Sequence, residues 1–205
     1  MTPKTFYLAS KSPRRKQILQ QLGFNPIVLA TNDHTLKAFQ GDEEPIKGER
    51  PEEYVLRVSK EKALIALQKI QTQGLAPYPV LAADTTVICR GEILGKPVNE
   101  QQARRFLEMM SGTVHEVRTA VWVGGNAQTL TAAVSVSHVH FKRLTEEEIR
   151  AYVSTSEPYD KAGGYAVQGL AAAFIERIEG SYSGIMGLPV FETVQLLKKF
   201  DIRVF

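Results

Sequence analysis

Asp84 is the most conspicuous polar residue of this chain, because it sits inside the apolar, β-branched run Val80-Leu81-Ala82-Ala83-Asp84-Thr85-Thr86-Val87-Ile88. A carboxylate in such a run needs a cationic partner, a metal ion or a catalytic task, since leaving water uncompensated is costly. General-base chemistry is one such task; a cap or Asx-type turn at a strand end is the structural alternative. A second constellation is Ser10-Lys11-Ser12-Pro13-Arg14-Arg15, placed where a strand feeds a helix. Free N–H groups at a helix start attract anions, and the guanidiniums of Arg14 and Arg15 add bidentate donors suited to a polyphosphate. Arginines in a first turn oppose the helix dipole, which favours a ligand over plain solvated charge.

Three weaker signals accompany these. Lys96 ends Gly91-Glu92-Ile93-Leu94-Gly95-Lys96-Pro97, whose glycine spacing is one short of a P-loop and whose Pro97 replaces the metal-holding Ser or Thr. It is therefore a point charge for phosphate or a solvated turn lysine. Gln168 lies in the small-residue segment Ala162-Gly163-Gly164-Tyr165-Ala166-Val167-Gln168-Gly169, where backbone can approach a ligand closely and a primary amide can read a base edge; a plain turn is the alternative. His138 and His140 would share one strand face without a third ligand, and Cys89 reads as inert core.

The elements that must hold these residues are legible from periodicity and caps. A strand over residues 5–9 leads through an N-cap at Ser12 and Pro13 at the first helical position into a helix stopped by Gly23. Residues 25–30 read as a strand, 31–50 as a long polar loop, and Pro51 to about Gln73 as a helix. The run 79–89 reads as a buried strand interrupted by Asp84-Thr85-Thr86, with turns at Gly91, Gly95 and Pro97. Asn99 caps a helix to Met110; residues 113–123 and 128–141 form a hairpin; Thr145 and Glu148 make a capping box for a helix to Ser154. Residues 171–178 read as a strand, 189–200 as a helix, and 202–205 as a closing strand. This alternation predicts an α/β fold with a mixed sheet.

The 205 residues suit one domain, bilobed at most, and 43% hydrophobic with 23% charged residues excludes global disorder. The 25 basic and 22 acidic residues leave a net charge of +3, dispersed along the chain. That balance allows an anionic small molecule and predicts neither nucleic-acid nor membrane partners. A single cysteine and no apolar leader predict a reducing, cytoplasmic setting, and no apolar run approaches membrane length.

Taken in order, Leu8-Ala9-Ser10-x-Ser12-Pro13-Arg14-Arg15, Glu61-Lys62-Ala63, Ala83-Asp84-Thr85, Gly95-Lys96-Pro97, Ser111-Gly112, Asp160-Lys161-Ala162-Gly163 and Gly187-Leu188-Pro189 resemble the Maf family of nucleoside triphosphate pyrophosphatases. The resemblance spans nearly the whole chain and rests on the ordered set rather than on any one motif. It implies a Maf/ITPase-like extended mixed sheet flanked by helices, two lobes with a central cleft, and often a homodimer. It implies hydrolysis of a nucleoside triphosphate to monophosphate and diphosphate with a divalent cation, Mg or Mn. Arg14-Arg15, Thr85 and Tyr165-x-x-Gln168 look like the branch acting on dTTP and UTP, rather than the branch acting on 7-methyl-GTP. By that resemblance Asp84 matches the proton acceptor and a metal contact. Arg14, Thr85 and Gln168 match specificity positions, and Ser10, Arg15, Lys62 and Lys96 match phosphate-site residues. One departure is Asp33-His34-Thr35, where the family usually carries an acidic pair. A non-catalytic nucleotide-binding regulator of cell division is the rival reading.

Overall fold

A computed structural model describes residues 5–29 and 46–205 of the chain. Most of the long loop expected over 31–50, including Asp33-His34-Thr35, lies outside the described residues. The described chain is α/β. Its strands β1 (Tyr7–Ala9), β2 (Ile27–Val28), β3 (Val80–Cys89), β4 (Glu92–Leu94), β5 (Val114–Gly124), β6 (Thr131–Phe141) and β7 (Ile175–Glu179) follow the order β2-β1-β3-β5-β6-β7, with β4 attached to β3.

The chain divides into two compact units, and the division falls between Asp84 and Thr85. The first contains the described chain up to Asp84 with Thr119–Val134 and Gly187–Phe205; the second contains Thr85–Arg118 and Ser135–Met186.

In the first unit, β1 (Tyr7–Ala9) lies between β2 (Ile27–Val28) and β3 (Val80–Cys89), parallel to both. A strand paired on both edges and covered by helices must be apolar throughout, and all three residues of β1 are buried. Helix α1 (Pro13–Gln21) connects β1 to β2 and buries Arg15, Ile18 and Leu19, the i, i+3, i+4 stripe of one face. Helix α2 (Pro51–Thr72) buries Lys62, Ala66 and Ile70 at i, i+4, i+8 together with Ala63. Ala63, Ala66 and Ile70 pack with Tyr7, Ala9, Val80 and Ala82, where small residues let the helix lie close to the strands.

The second unit has its own core, in which Val87, Leu94, Phe106, Leu107, Met110, Phe141, Tyr152 and Phe174 are buried together. Strand β4 (Glu92–Leu94) folds back antiparallel on the end of β3, with Cys89 opposite Glu92. This strand was read as turns in the sequence. The strand is made possible by Arg90-Gly91, both at positive φ (53° and 78°), which form the two-residue turn that matches strand twist. Helix α3 (Glu100–Met110) starts at Asn99, whose side chain accepts from Gln102 N at 2.9 Å. Strands β5 (Val114–Gly124) and β6 (Thr131–Phe141) run through both units, and α4 (Glu146–Val153) opens on the Thr145/Glu148 capping box. Strand β7 (Ile175–Glu179) pairs antiparallel with β6. Short α5 (Tyr182–Met186) follows, and α6 (Val190–Lys198) belongs to the first unit.

Four sequence expectations are corrected. Strand β3 runs unbroken through Asp84-Thr85-Thr86, because the charge of Asp84 is met by a lysine and two β-branched threonines continue the strand. Ser12 occupies the N-cap position without a capping side-chain bond; Ser10 Oγ accepts from Ser12 N instead, at 3.2 Å. The strand expected from residue 171 begins at Ile175, since the N–H groups of Leu170 and Ala171 are taken by the Glu157 carboxylate and Leu170–Phe174 forms a 3-10 turn. Residues 202–205 form no strand: after Asp201, at φ 56°, Ile202 N donates back to the Leu197 carbonyl at the end of α6.

Candidate active site

Parallel strands bring functional residues together at their carboxyl ends. Ala9, the last residue of β1, pairs with Ala82 of β3, so Ser10 and Asp84 emerge at neighbouring strand positions. Ala82 and Asp84 share a sheet face by the two-residue period of a strand, and Ala82 packs with Ala63 and Ala66 of α2. The stripe of α2 that makes this contact also carries Lys62. Its Nζ reaches Asp84 Oδ1 at 2.6 Å.

Both partners are buried, Lys62 at 8% and Asp84 at 6% exposure. A buried ion pair is a weak source of stability, because desolvation offsets most of the attraction. Its persistence here points to a use for the charges.

Ser10, directly after β1, and Arg15, in the first turn of α1, form a second buried pair, at 7% and 8% exposure. Arg15 Nη1 donates to Ser10 Oγ at 3.1 Å and Arg15 Nε to the Gly187 carbonyl at 2.7 Å. The guanidinium is thus fixed by contacts at both ends of the chain, in a fork geometry that matches a phosphate oxygen pair. Arg14, its neighbour, is half-buried, as α1 turns it away from the buried stripe. Across the four buried residues the charges are two cations and one anion, an arrangement that leaves net positive charge for an incoming anion.

Thr85, Lys96 and Gln168 belong to the second unit. Thr85 is half-buried in β3; Lys96 is exposed in the turn between β4 and α3; Gln168 is exposed in a turn closed by Gly169 N donating to the Ala166 carbonyl at 3.0 Å. The turns bearing Lys96 and preceding Gln168 are joined. Gly163 N donates to the Gly95 carbonyl at 3.0 Å, and a Cβ on Gly164 would stand 3.3 Å from Pro97 Cγ. Gly163, at φ 69°, also lies so close to Val87 that a Cβ there would meet its side chain at 2.9 Å. The small residues noticed in the sequence therefore serve close packing of these turns as well as any ligand.

Sequence reasoning missed three features. The contact of Arg15 with Gly187 joins positions 172 residues apart and carries no local signal. His115, in β5, is 2% exposed, its Nε2 2.7 Å from Tyr165 Oη, and burial pushes its pKa down to about 3. It is a neutral core residue against Phe141 and Tyr165 and carries no charge into the chemistry. Glu157, third, collects backbone N–H groups in the segment that bears Gln168. Cys89 is buried as expected, and burial raises its thiol pKa. His140 bonds Glu179 on the exposed side of β6 and β7.

Among the described residues of this group, Asp84 is the carboxylate that could contact a divalent cation. Among the described residues no group of three or more His, Cys, Asp or Glu side chains could hold a metal ion. A hard oxygen donor of this kind suits Mg2+ or Mn2+, which commonly take one or two carboxylates and complete their shell with substrate phosphates and water. Asp84 fits such a contact. Among the described residues no helix is long and apolar enough to cross a membrane.

Residues 5–200 match the family model described as Maf-like protein. The chain is 49% identical over 209 residues to the dTTP/UTP pyrophosphatase of Pasteurella multocida, covering 100% of both chains. It is 46% identical over 199 residues to the dTTP/UTP pyrophosphatase of Nitrosospira multiformis, covering 97% of this chain and 96% of that one. It is 47% identical over 201 residues to a nucleoside triphosphate pyrophosphatase of Haemophilus ducreyi, covering 98% of each. Among solved structures, the Staphylococcus aureus Ham1 protein aligns over 96% of this chain and 97% of its own at 11% identity, with a TM-score of 0.46.

Proposed function

The chain belongs to the Maf-like protein family, and from that premise we propose that it is a nucleoside triphosphate pyrophosphatase hydrolysing dTTP and UTP to the monophosphate and diphosphate. The observation that carries this reading is the buried Lys62–Asp84 pair, with Asp84 in the middle of β3, together with the buried Ser10–Arg15 pair just past the end of the parallel strand β1. Curated relatives at 46–49% identity over nearly their full length carry the name dTTP/UTP pyrophosphatase, which supports the same substrate class.

The chemistry follows from charge. Water attacking the α-phosphorus of a triphosphate must approach a centre shielded by nearly four negative charges, so neutralisation comes first and proton removal second. Arg15, held by Ser10 and Gly187, offers fixed donors to phosphate oxygens, and Lys62 offers a second cation. When phosphate competes for Lys62, the Asp84 carboxylate is released from its partner and can take the proton of the attacking water. Asp84 also supplies the oxygen that would hold Mg2+ or Mn2+, which when bound neutralises phosphate charge. Arg14 and Lys96 add positive charge for the phosphates. Thr85 and Gln168 read the base. A reducing, cytoplasmic setting suits the buried free thiol of Cys89.

Base choice has its own test. Uracil and thymine present an acceptor-donor-acceptor edge that a Gln amide and a Thr hydroxyl can complement, whereas the exocyclic amine of cytosine reverses part of it. A wrong base leaves the polar groups of the site unpaired, so rejection is strong. The 5-methyl group is worth only about 10- to 200-fold, so dTTP and UTP are both substrates. Gln168→Glu replaces a donor by an acceptor; kcat/KM for dTTP and UTP is expected to fall at least about tenfold relative to CTP. An unchanged ranking of dTTP, UTP, CTP and GTP in the variant would remove Gln168 from base recognition.

A further inference from the structure

Glu157 stands eleven residues before Gln168, yet its carboxylate is spent on the backbone immediately after that glutamine. Its Oε2 accepts from Leu170 N at 2.7 Å, and its Oε1 accepts from Ala171 N at 3.2 Å. These are the first N–H groups of the 3-10 turn Leu170–Phe174, which have no partner of their own within the turn. The Tyr152 hydroxyl lies 3.0 Å from Oε1 and 3.1 Å from the Gly164 carbonyl, so its single proton serves one or the other. Lys161 Nζ donates to the Glu157 carbonyl at 2.9 Å. Burial raises the Glu157 pKa, but the Leu170 and Ala171 N–H groups and Tyr152 outweigh it and hold the carboxyl below the usual range.

Gly169 makes the clasp specific. A Cβ at that position would lie 2.4 Å from both carboxylate oxygens, so only glycine admits the carboxylate this close to the chain. The segment 157–171 is thereby closed on itself by one side chain, and the turn from Ala166 to Gly169 that presents Gln168 is fixed one residue from the point of closure.

We infer that Glu157 is a positioning residue, whose carboxylate sets the Gln168 turn and so governs discrimination among pyrimidine triphosphates. This rests on the reading of Gln168 as the base-reading amide. A misplacement near 1 Å in a binding group can cost about 10²-fold, and the losses concentrate on the substrate whose groups that residue pairs. Glu157 touches no reacting atom, so turnover at saturation is expected to survive its loss better than selectivity does.

Two variants attack the clasp from opposite sides. Glu157→Gln keeps the volume but turns an NH2 group toward one of the backbone donors, and Gly169→Ala forces the intact carboxylate off the chain. For each, kcat and KM are measured for dTTP, UTP and CTP beside the wild-type protein, together with the melting temperature. In both variants the dTTP-over-CTP ratio of kcat/KM is expected to fall at least about tenfold, mainly through KM, with kcat for dTTP within about threefold of wild type. In a Gln168→Ala background, Glu157→Gln is expected to change that ratio no further, because the two residues act through one contact. Should Glu157→Gln fail to fold, Gly169→Ala alone carries the test. Proportional losses for all three nucleotides, or an undiminished effect in the Gln168→Ala background, would overturn the inference while leaving the pyrimidine reading intact. A wild-type protein that shows no preference for dTTP and UTP over CTP would overturn the pyrimidine reading, and the inference with it.

Discussion

Asp84→Asn is expected to remain folded and to lose about 10²- to 10⁴-fold in kcat on dTTP, the span expected when a positioned proton acceptor is removed. The amide keeps the shape of the carboxylate but cannot take a proton, and it binds a divalent cation weakly. Its oxygen can still accept from Lys62, whose ammonium is then buried opposite a neutral group. Stability is therefore expected to fall by roughly 1–3 kcal/mol. Steady-state kinetics alongside thermal melting separates the two effects. A kcat within a few-fold of wild type would remove Asp84 from catalysis, and unfolding at room temperature would make the buried pair primarily structural.

Arg15→Ala has the second largest expected effect, and it mixes binding with folding. The side chain is buried and its loss leaves the Gly187 carbonyl without this donor and Ser10 Oγ with the Ser12 N–H in place of two donors, a cost on the order of 2 kcal/mol. Beyond that, affinity for a triphosphate is expected to fall by about 10²-fold, as a charge-assisted bidentate contact is lost. Affinity for a monophosphate should fall much less, since it lacks most of the charge that such a donor meets. Titration calorimetry with dTMP and with the α,β-imido analogue of dTTP measures both. Arg15→Lys is not expected to rescue binding, because a single ammonium cannot replace the rigid fork that reaches Ser10 and Gly187 together. Equal losses for the two ligands would confine Arg15 to a structural role.

Much of this site was legible before any coordinates, and for identifiable reasons. Asp84 stood out because a charge within a β-branched run violates local expectation, and such violations concentrate at functional sites. Lys62 was singled out by the family resemblance alone, since periodicity gives no reason why the buried stripe of α2 should contain a lysine. Arg15 was chosen for its position at a helix start, while its actual anchors, Ser10 and Gly187, include one far away in sequence. The fold errors have the same origin. Ala171 to Ile178 reads as a strand by composition, and a carboxylate from outside the run converts its first half to a 3-10 turn. Strand β4 was hidden because its turn uses Arg90 at positive φ, a residue that carries no turn signal. Long-range polar contacts, unlike hydrophobic periodicity, leave no mark on the residues around them.

The central claim is hydrolysis at the α-phosphorus, and the most direct measurement is turnover of dTTP with Mg2+ in H2 18O, followed by mass analysis of both products. The account requires dTMP carrying one atom of 18O and unlabelled diphosphate, in equal amounts. Label in the diphosphate would place the attack at the β-phosphorus, and dTDP with inorganic phosphate would contradict the assigned reaction altogether.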